Sequence, residues 1–153
     1  MRLLAVDPSL TCSGWALFSI VENRLIAVGK IRSLSSSVPL AHRLADLQQR
    51  IEKLFKRMDL GGDDYLVCEA PTTVMDPRAA FIVEQVRSIF EVTARGRGVV
   101  VPGRINPRTV QREIIGLRGA QQRREKVKEA AVLTVHRLYK EELTKMGFNT
   151  EVN

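Results

Sequence analysis

Two carboxylates carry the first chemical signal, because each ends an apolar run: Asp7 follows Leu3-Leu4-Ala5-Val6, and Glu69 follows Tyr65-Leu66-Val67-Cys68. If the two runs are neighbouring parallel strands, about 5 Å apart, both carboxylates sit at the carboxyl edge of one sheet. Open α/β sheets place their sites at that edge. Two acids brought together raise each other's pKa or bind a hard cation, and magnesium is the usual choice where oxygen ligands meet phosphates. Taken singly, each has an ordinary reading of equal standing: Asp7 orders the Pro8-Ser9 turn, and Glu69 is a solvated strand end. As a pair, each followed by a turn, they read as a site.

The second signal is a run of cations. Arg104, Arg108, Arg112, Arg118, Arg123, Arg124, Lys126 and Lys128 are opposed over the same stretch only by Glu113 and Glu125. The whole chain carries 24 Lys and Arg against 17 Asp and Glu, a net charge of +7, so this segment holds most of the excess. Such a surface tracks phosphates and positions DNA without reading bases. The competing reading is an exposed helix face that binds nothing specific.

Other chemistries are poorly supported. Cys12 and Cys68 lack the spacing of a zinc site or a disulfide scaffold and read as reduced core thiols, and His42 and His136 have no metal-ligand spacing. No apolar run approaches the roughly 20 residues of a membrane span. The N-terminal run meets Asp7 too early for a signal peptide. The expectation is a protein that is not secreted and has no membrane partner. It would stay where it is made, in a cytoplasm with its nucleoid or in the compartment of a host's or virus's DNA.

The elements that must position these residues can be read from periodicity. Arg2 to Asp7, Gly14 to Val21 and Arg24 to Ile31 read as three strands of an antiparallel meander. Leu40, Leu44, Leu47, Ile51, Leu54, Phe55 and Met58 recur at steps of three and four, which predicts a helix from about Pro39 to Met58. A strand buried on both faces follows at 65–69, then a helix from Pro77 carrying Phe81, Ile82, Val86, Ile89, Phe90 and Val92 up to Gly96. Val99-Val100-Val101 predicts another strand. Asn106-Pro107 predicts an N-cap and first turn of a helix closed by Gly116, and a long basic helix should run from about Gln122 to Lys145. Together these describe one α/β domain over residues 1–153, with a five-stranded mixed sheet flanked by helices. Trp15 is expected to pack the hairpin against a helix.

The stretch Leu4-Ala5-Val6-Asp7-Pro8-Ser9-Leu10-Thr11-Cys12-Ser13-Gly14-Trp15-Ala16-Leu17-Phe18 resembles the opening of RuvC-type Holliday junction resolvases, and Val67-Cys68-Glu69-Ala70-Pro71 is similar to their second acidic strand. Ala94-Arg95-Gly96, Pro107-Arg108-Thr109-Val110 and Ile114-Ile115-Gly116 before the basic helix follow the family's order, so the likeness covers most of the chain. The resemblance implies a ribonuclease H-like fold and a metal-dependent endonuclease. That enzyme would be a homodimer nicking two strands of a four-way DNA junction symmetrically, in recombination and repair. It implies two Mg2+ ions per site, with Mn2+ as a substitute. Asp7 would bridge them, Glu69 would hold one, and Lys126 would attend the scissile phosphate. The family's earlier lysine falls on Gln111, beside Arg112. The apolar stripe of the second helix would serve a dimer contact, or equally a core crossing of the sheet.

The sequence departs from the family in two places. The family's site is completed by aspartates on a final helix, yet no aspartate follows Asp76 and the chain stops at Glu151-Val152-Asn153. The expectation is a domain lacking its last helix. Glu141, Glu142 and Glu151 are possible substitutes, the first two also reading as an ordinary acidic helix surface. The family's aromatic wedge after the second acid is replaced by Pro71-Thr72-Thr73-Val74. Two other readings stand beside the nuclease: a non-catalytic junction-binding scaffold, and an actin-like nucleotide-binding domain, which lacks its second phosphate loop here.

Overall fold

Alternating burial in the first strands sets the architecture. In the computed structural model, which describes residues 1–72, 76–120 and 122–150, β1 (Arg2–Asp7) buries Leu4 and Val6 on one face. It pairs antiparallel with β2 (Cys12–Ser19), with Asp7 opposite Gly14, and β2 pairs antiparallel with β3 (Arg24–Arg32). The second strand starts and stops two residues before its expected place. Ile20 and Val21 fall in the turn, which Asn23 completes with a positive φ of 49°. On its other side β1 runs parallel to β4 (Tyr65–Glu69), and the sheet order is β3-β2-β1-β4-β5.

The helix expected at 39–58 is α1 (Leu40–Arg57), and the one expected from Pro77 is α2 (Pro77–Gly96). The Asp76 side chain accepts from the Ala79 N–H, and Pro77 takes the first helical position, where its missing donor costs nothing. Both helices lie on one face of the sheet. Leu47, Ile51, Leu54 and Phe55 of α1 and Val86, Phe90 and Ala94 of α2 close over Leu4, Val6, Trp15, Leu17, Leu66 and Cys68 in one core. Each large side chain buried there stabilises by about 1.5–3 kcal/mol. Trp15 belongs to this core as expected; a Cβ at Gly29, its cross-strand neighbour, would overlap the indole ring. Buried Asp64 ties the start of β1 to the loop before β4. Its carboxylate accepts from the Arg2 backbone N–H (3.0 Å), the Arg2 guanidinium (3.0 Å) and the Gly61 N–H (3.0 Å).

The strand expected at Val99-Val100-Val101 is displaced. Val100 makes only an isolated bridge to Tyr65, and the ladder resumes as β5 (Arg104–Ile105), parallel to Cys68 and Glu69. Pro102 supplies the reason: it has no N–H to donate, so regular pairing cannot pass through it. Asn106 then caps α3 (Pro107–Val110), its side chain accepting from the Arg108 N–H at 2.9 Å. The helix widens into a π-helical turn, Gln111–Ile115, and Gly116 ends it at φ 81°.

The expected basic helix is also divided. It forms α4 (Arg124–Leu138) and α5 (Lys140–Lys145), separated at Tyr139, whose ring lies against Phe18 with centroids 5.6 Å apart. α4 covers the sheet's second face loosely: it buries no residue, and between it and the strands runs an open groove of about 730 Å³.

Candidate active site

The register of β1 and β4 brings the two predicted carboxylates together. Val6 pairs with Cys68, so Asp7 and Glu69 are the next residues on adjacent parallel strands. Val6 and Cys68 point into the core, and by alternation Asp7 and Glu69 belong to the opposite, open face. Asp7 is exposed and Glu69 half-buried. Burial, then the charge of Asp7 and a side-chain hydrogen bond with it, push the Glu69 carboxyl up to about 7, while Arg87 pulls it down. A carboxylate held this close to a second one binds a proton or a cation more readily than a free glutamate does. Cys68 between them is inert, its thiol pushed up to about 12 by burial.

Beside the pair, a cleft of about 60 Å³ is bounded by Pro8, Pro71, Val83 and Arg87. Arg87 is a residue that sequence reasoning missed. It is buried on α2, donates from Nε to the Glu69 carbonyl at 2.8 Å, and pairs with Glu84. Its signal was a charged residue inside the apolar stripe of that helix. Glu84 and Glu91 in turn bind Arg104, each at 2.7 Å. Arg104, expected among the DNA-binding cations, thus has its guanidinium engaged by two carboxylates of its own chain.

The larger groove approaches the pair from the other side. Asp7 and Glu69 form one end of it, the small residues Ala5, Gly14 and Ala16 its floor, and Arg124, Val127, Lys128, Ala131 and Val135 its α4 wall. The wall follows a spacing of three and four, which leaves Lys126 roughly 200° around the helix from Arg124. The lysine singled out for the scissile phosphate is thus not a wall residue; Arg124 and Lys128 are. Gln111 also lines the groove, and it accepts from Arg108 at 3.0 Å, while Arg108 also donates to the Gly119 carbonyl at 3.0 Å. Arg112, Arg118 and Arg123 are exposed on the same segment.

Neither described substitute for a third acid reaches the pair. Glu141 pairs with Lys145 at 3.2 Å, and the Glu142 carboxylate accepts from the Leu25 N–H at 3.2 Å, both on α5 beside β3. Glu151, and Thr73 and Val74 at the wedge position, lie outside the described residues. Among the described residues, no group of three His, Cys, Asp or Glu could hold a metal ion. Asp7 and Glu69 are nonetheless a hard-oxygen donor set, anionic and adjacent, and so fit a divalent cation better than a soft metal.

Over 118 residues, 76% of its length, the chain is 30% identical to the crossover junction endodeoxyribonuclease RuvC of Paramagnetospirillum magneticum, of which it spans 68%. The chain belongs to the RuvC family. A second RuvC, from Renibacterium salmoninarum, is 33% identical over 104 residues, and the chain spans about half of that relative's length, 52%. Among solved structures, Thermus thermophilus RuvC in complex with Holliday junction substrate superposes with a TM-score of 0.70 at 20% identity, covering 92% of this chain and 80% of that one. The fold is therefore the ribonuclease H-like fold of RuvC, as the sequence implied. No family model matches the chain. Among the described residues no helix is long and apolar enough to cross a membrane.

Proposed function

We propose that this chain is the nuclease part of a crossover junction endodeoxyribonuclease, which makes paired symmetric nicks in four-way DNA junctions during recombination and repair. The observation that carries the reading is the Asp7–Glu69 pair at the carboxyl edge of the sheet, with the Glu69 carboxyl pushed up to about 7 by burial and then by Asp7. Asp7 and Glu69 would hold two Mg2+ ions, Mn2+ serving as a substitute, with further ligands contributed from outside the described residues. When bound, the metal supplies Lewis acidity to the phosphodiester and to the attacking water.

The chain's own residues do the rest. Arg124 and Lys128, on the groove wall that ends at the carboxylates, bind the phosphates flanking the scissile bond. Arg112, Arg118, Arg123 and Lys126, exposed on the same segment, hold the DNA backbone by charge. Arg87 fixes the end of β4 by its bond to the Glu69 carbonyl and so fixes where the Glu69 carboxylate stands. In-line attack of water leaves a 5′ phosphate and a 3′ hydroxyl. The exposed Phe81 and Val92 of α2, outside the core that Val86 and Phe90 fill, support a homodimer through that helix.

The test is cleavage of an end-labelled four-way junction with magnesium, comparing this chain, a C-terminally longer form and the Asp7→Asn variant of each, with binding followed without metal. Symmetric nicks that disappear in Asp7→Asn while binding persists are expected. Tight binding with no cleavage by any form would refute the nuclease and leave the scaffold reading.

A further inference from the structure

We infer that a second basic groove, between α1 and the edge strand β3, guides the backbone of a duplex arm away from the carboxylate edge. The inference rests on the reading of the chain as a nuclease of branched DNA. The groove, about 430 Å³, lies between β3 and α1 and is lined by Lys30, Arg32, Arg50, Lys53 and Arg57 over an apolar floor of Trp15, Ile31 and Leu54. None of these cations belongs to the 104–128 segment. Three of them stand on α1, on the sheet face opposite α4, while Lys30 and Arg32 alternate with core-facing Gly29 and Ile31 on the edge strand β3 and leave it on Asp7's face, so the groove wraps the sheet edge.

The register ties this groove to the site. Asp7 is opposite Gly14, and Gly14 is opposite Lys30, so Lys30 stands two strands, roughly 10 Å, from Asp7 in the same cross-strand row. The row between them holds only a glycine, which puts no side chain in the way. From that edge α1 runs back along the sheet. Arg50, Lys53 and Arg57 follow one another at steps of three and four and rise roughly 10 Å along one stripe of the helix. A DNA strand advances about 3.4 Å per phosphate, so the stripe matches about three phosphates.

The charge in the groove is nearly unopposed. Arg50 pairs with Asp46 at 2.6 Å, but Lys30, Arg32, Lys53 and Arg57 form no ion pair among the described residues. Cations gathered along one concave surface repel one another and concentrate a positive potential there, which a linear polyanion neutralises. The apolar floor offers no hydrogen-bonding code, so the groove suits a phosphate backbone of any sequence.

The test is metal-free binding of a long-armed four-way junction as a function of salt, with the triple variant Arg50→Gln/Lys53→Gln/Arg57→Gln. All three positions are exposed on a helix, and the charge-keeping double variant Arg50→Lys/Arg57→Lys serves as a fold and packing control. The plot of log affinity against log salt should flatten by about 2.7, or about 0.9 for each of three contacts. Between 50 and 200 mM salt the neutralised variant should then lose about 40-fold less affinity than the unaltered protein. The charge-keeping variant should retain the original slope.

An unchanged slope in the triple variant would overturn the inference. So would an equal flattening in Arg137→Gln/Lys140→Gln/Lys145→Gln, which removes three exposed cations elsewhere, because the effect would then be one of net charge alone. Cleavage of the same junction with magnesium is scored separately for the unaltered protein and its C-terminally longer form. Its absence in both would overturn the nuclease reading without altering what the salt slopes say about the groove.

Discussion

The two faces of the sheet are built from the same strands and do opposite work. On one face Leu4, Val6, Leu17, Leu66 and Cys68 are sealed by α1 and α2, with Phe55, Phe90 and Ile51 wholly buried. On the other, the alternate residues Ala5, Asp7, Ala16, Val67 and Glu69 look into an open groove, and α4 above them buries nothing. A strand with a side-chain period of two can therefore fix a carboxylate to within the precision of the core without burying it. Asp7 is placed by Val6, and Glu69 by Cys68. The sealed face supplies stability and the open face chemistry, so substitutions on the two should separate cleanly.

The largest effects test that separation directly. Asp7→Asn should cost about a thousandfold in junction cleavage, since it removes an anionic ligand from the reacting centre, and should leave the urea midpoint unchanged or raised. Phe90→Ala on the sealed face should do the reverse. It should destabilise the protein by about 3–5 kcal/mol in urea denaturation, while the folded fraction binds junction DNA as before. Loss of stability in Asp7→Asn would mean that the site is part of the core, and the comparison would fail.

The sealed face was legible in the sequence and the open one only in part. The three-four spacing of α1 announced burial through residue type, and the apolar runs of β1 and β4 carried Asp7 and Glu69 at their ends. But β4, expected to be buried on both faces, buries only Leu66 and Cys68, while Val67 looks into the open groove. The spacing of α4, with no buried residue, gave no phase, and Lys126, named by resemblance to the family's late basic helix, is not on the groove wall that Arg124 and Lys128 form. Pro102 was the overlooked cue that moved the fifth strand from Val99 to Arg104. Arg87 and Arg104 were invisible for a different reason. Their partners Glu84, Glu91 and the Glu69 carbonyl meet only once α2 has packed beside β4 and β5.

That junction between the faces gives an intermediate effect. Arg87→Met removes the donor to the Glu69 carbonyl and one of the two arginines serving Glu84, leaving buried polar atoms unmet. A loss of about 1–3 kcal/mol is expected in denaturation. Cleavage should fall through kcat more than KM, because DNA still binds by its phosphates while Glu69 is misplaced.

Acidity sharpens the comparison further, because the open face carries a group whose folded pKa is raised. Below about 4.5 Glu69 is protonated in both the folded and unfolded chain, and it contributes no pH dependence. Between about 4.5 and about 7 the unfolded chain has released the proton that the folded protein retains. Stability of the metal-free protein should therefore decline as pH rises across that window and level off above it. Thermal midpoints measured over the range should show the decline, and Glu69→Gln should remove this component of it.

The smallest effect asks whether the open face is truly open. Val86→Ala and Val135→Ala delete the same two methyl groups, one from a wholly buried position on α2 and one from the groove wall on α4, where Val135 is 42% exposed. The first should cost about 2 kcal/mol in urea denaturation, from lost transfer energy and the cavity left behind. The second should stay within about 0.5 kcal/mol, as for a surface position, because water already reaches that side chain. Equal costs would mean that another element closes the groove in solution. The carboxylates would then stand at the end of a second core rather than on a free face, and the division of labour between the two sides of the sheet would no longer hold.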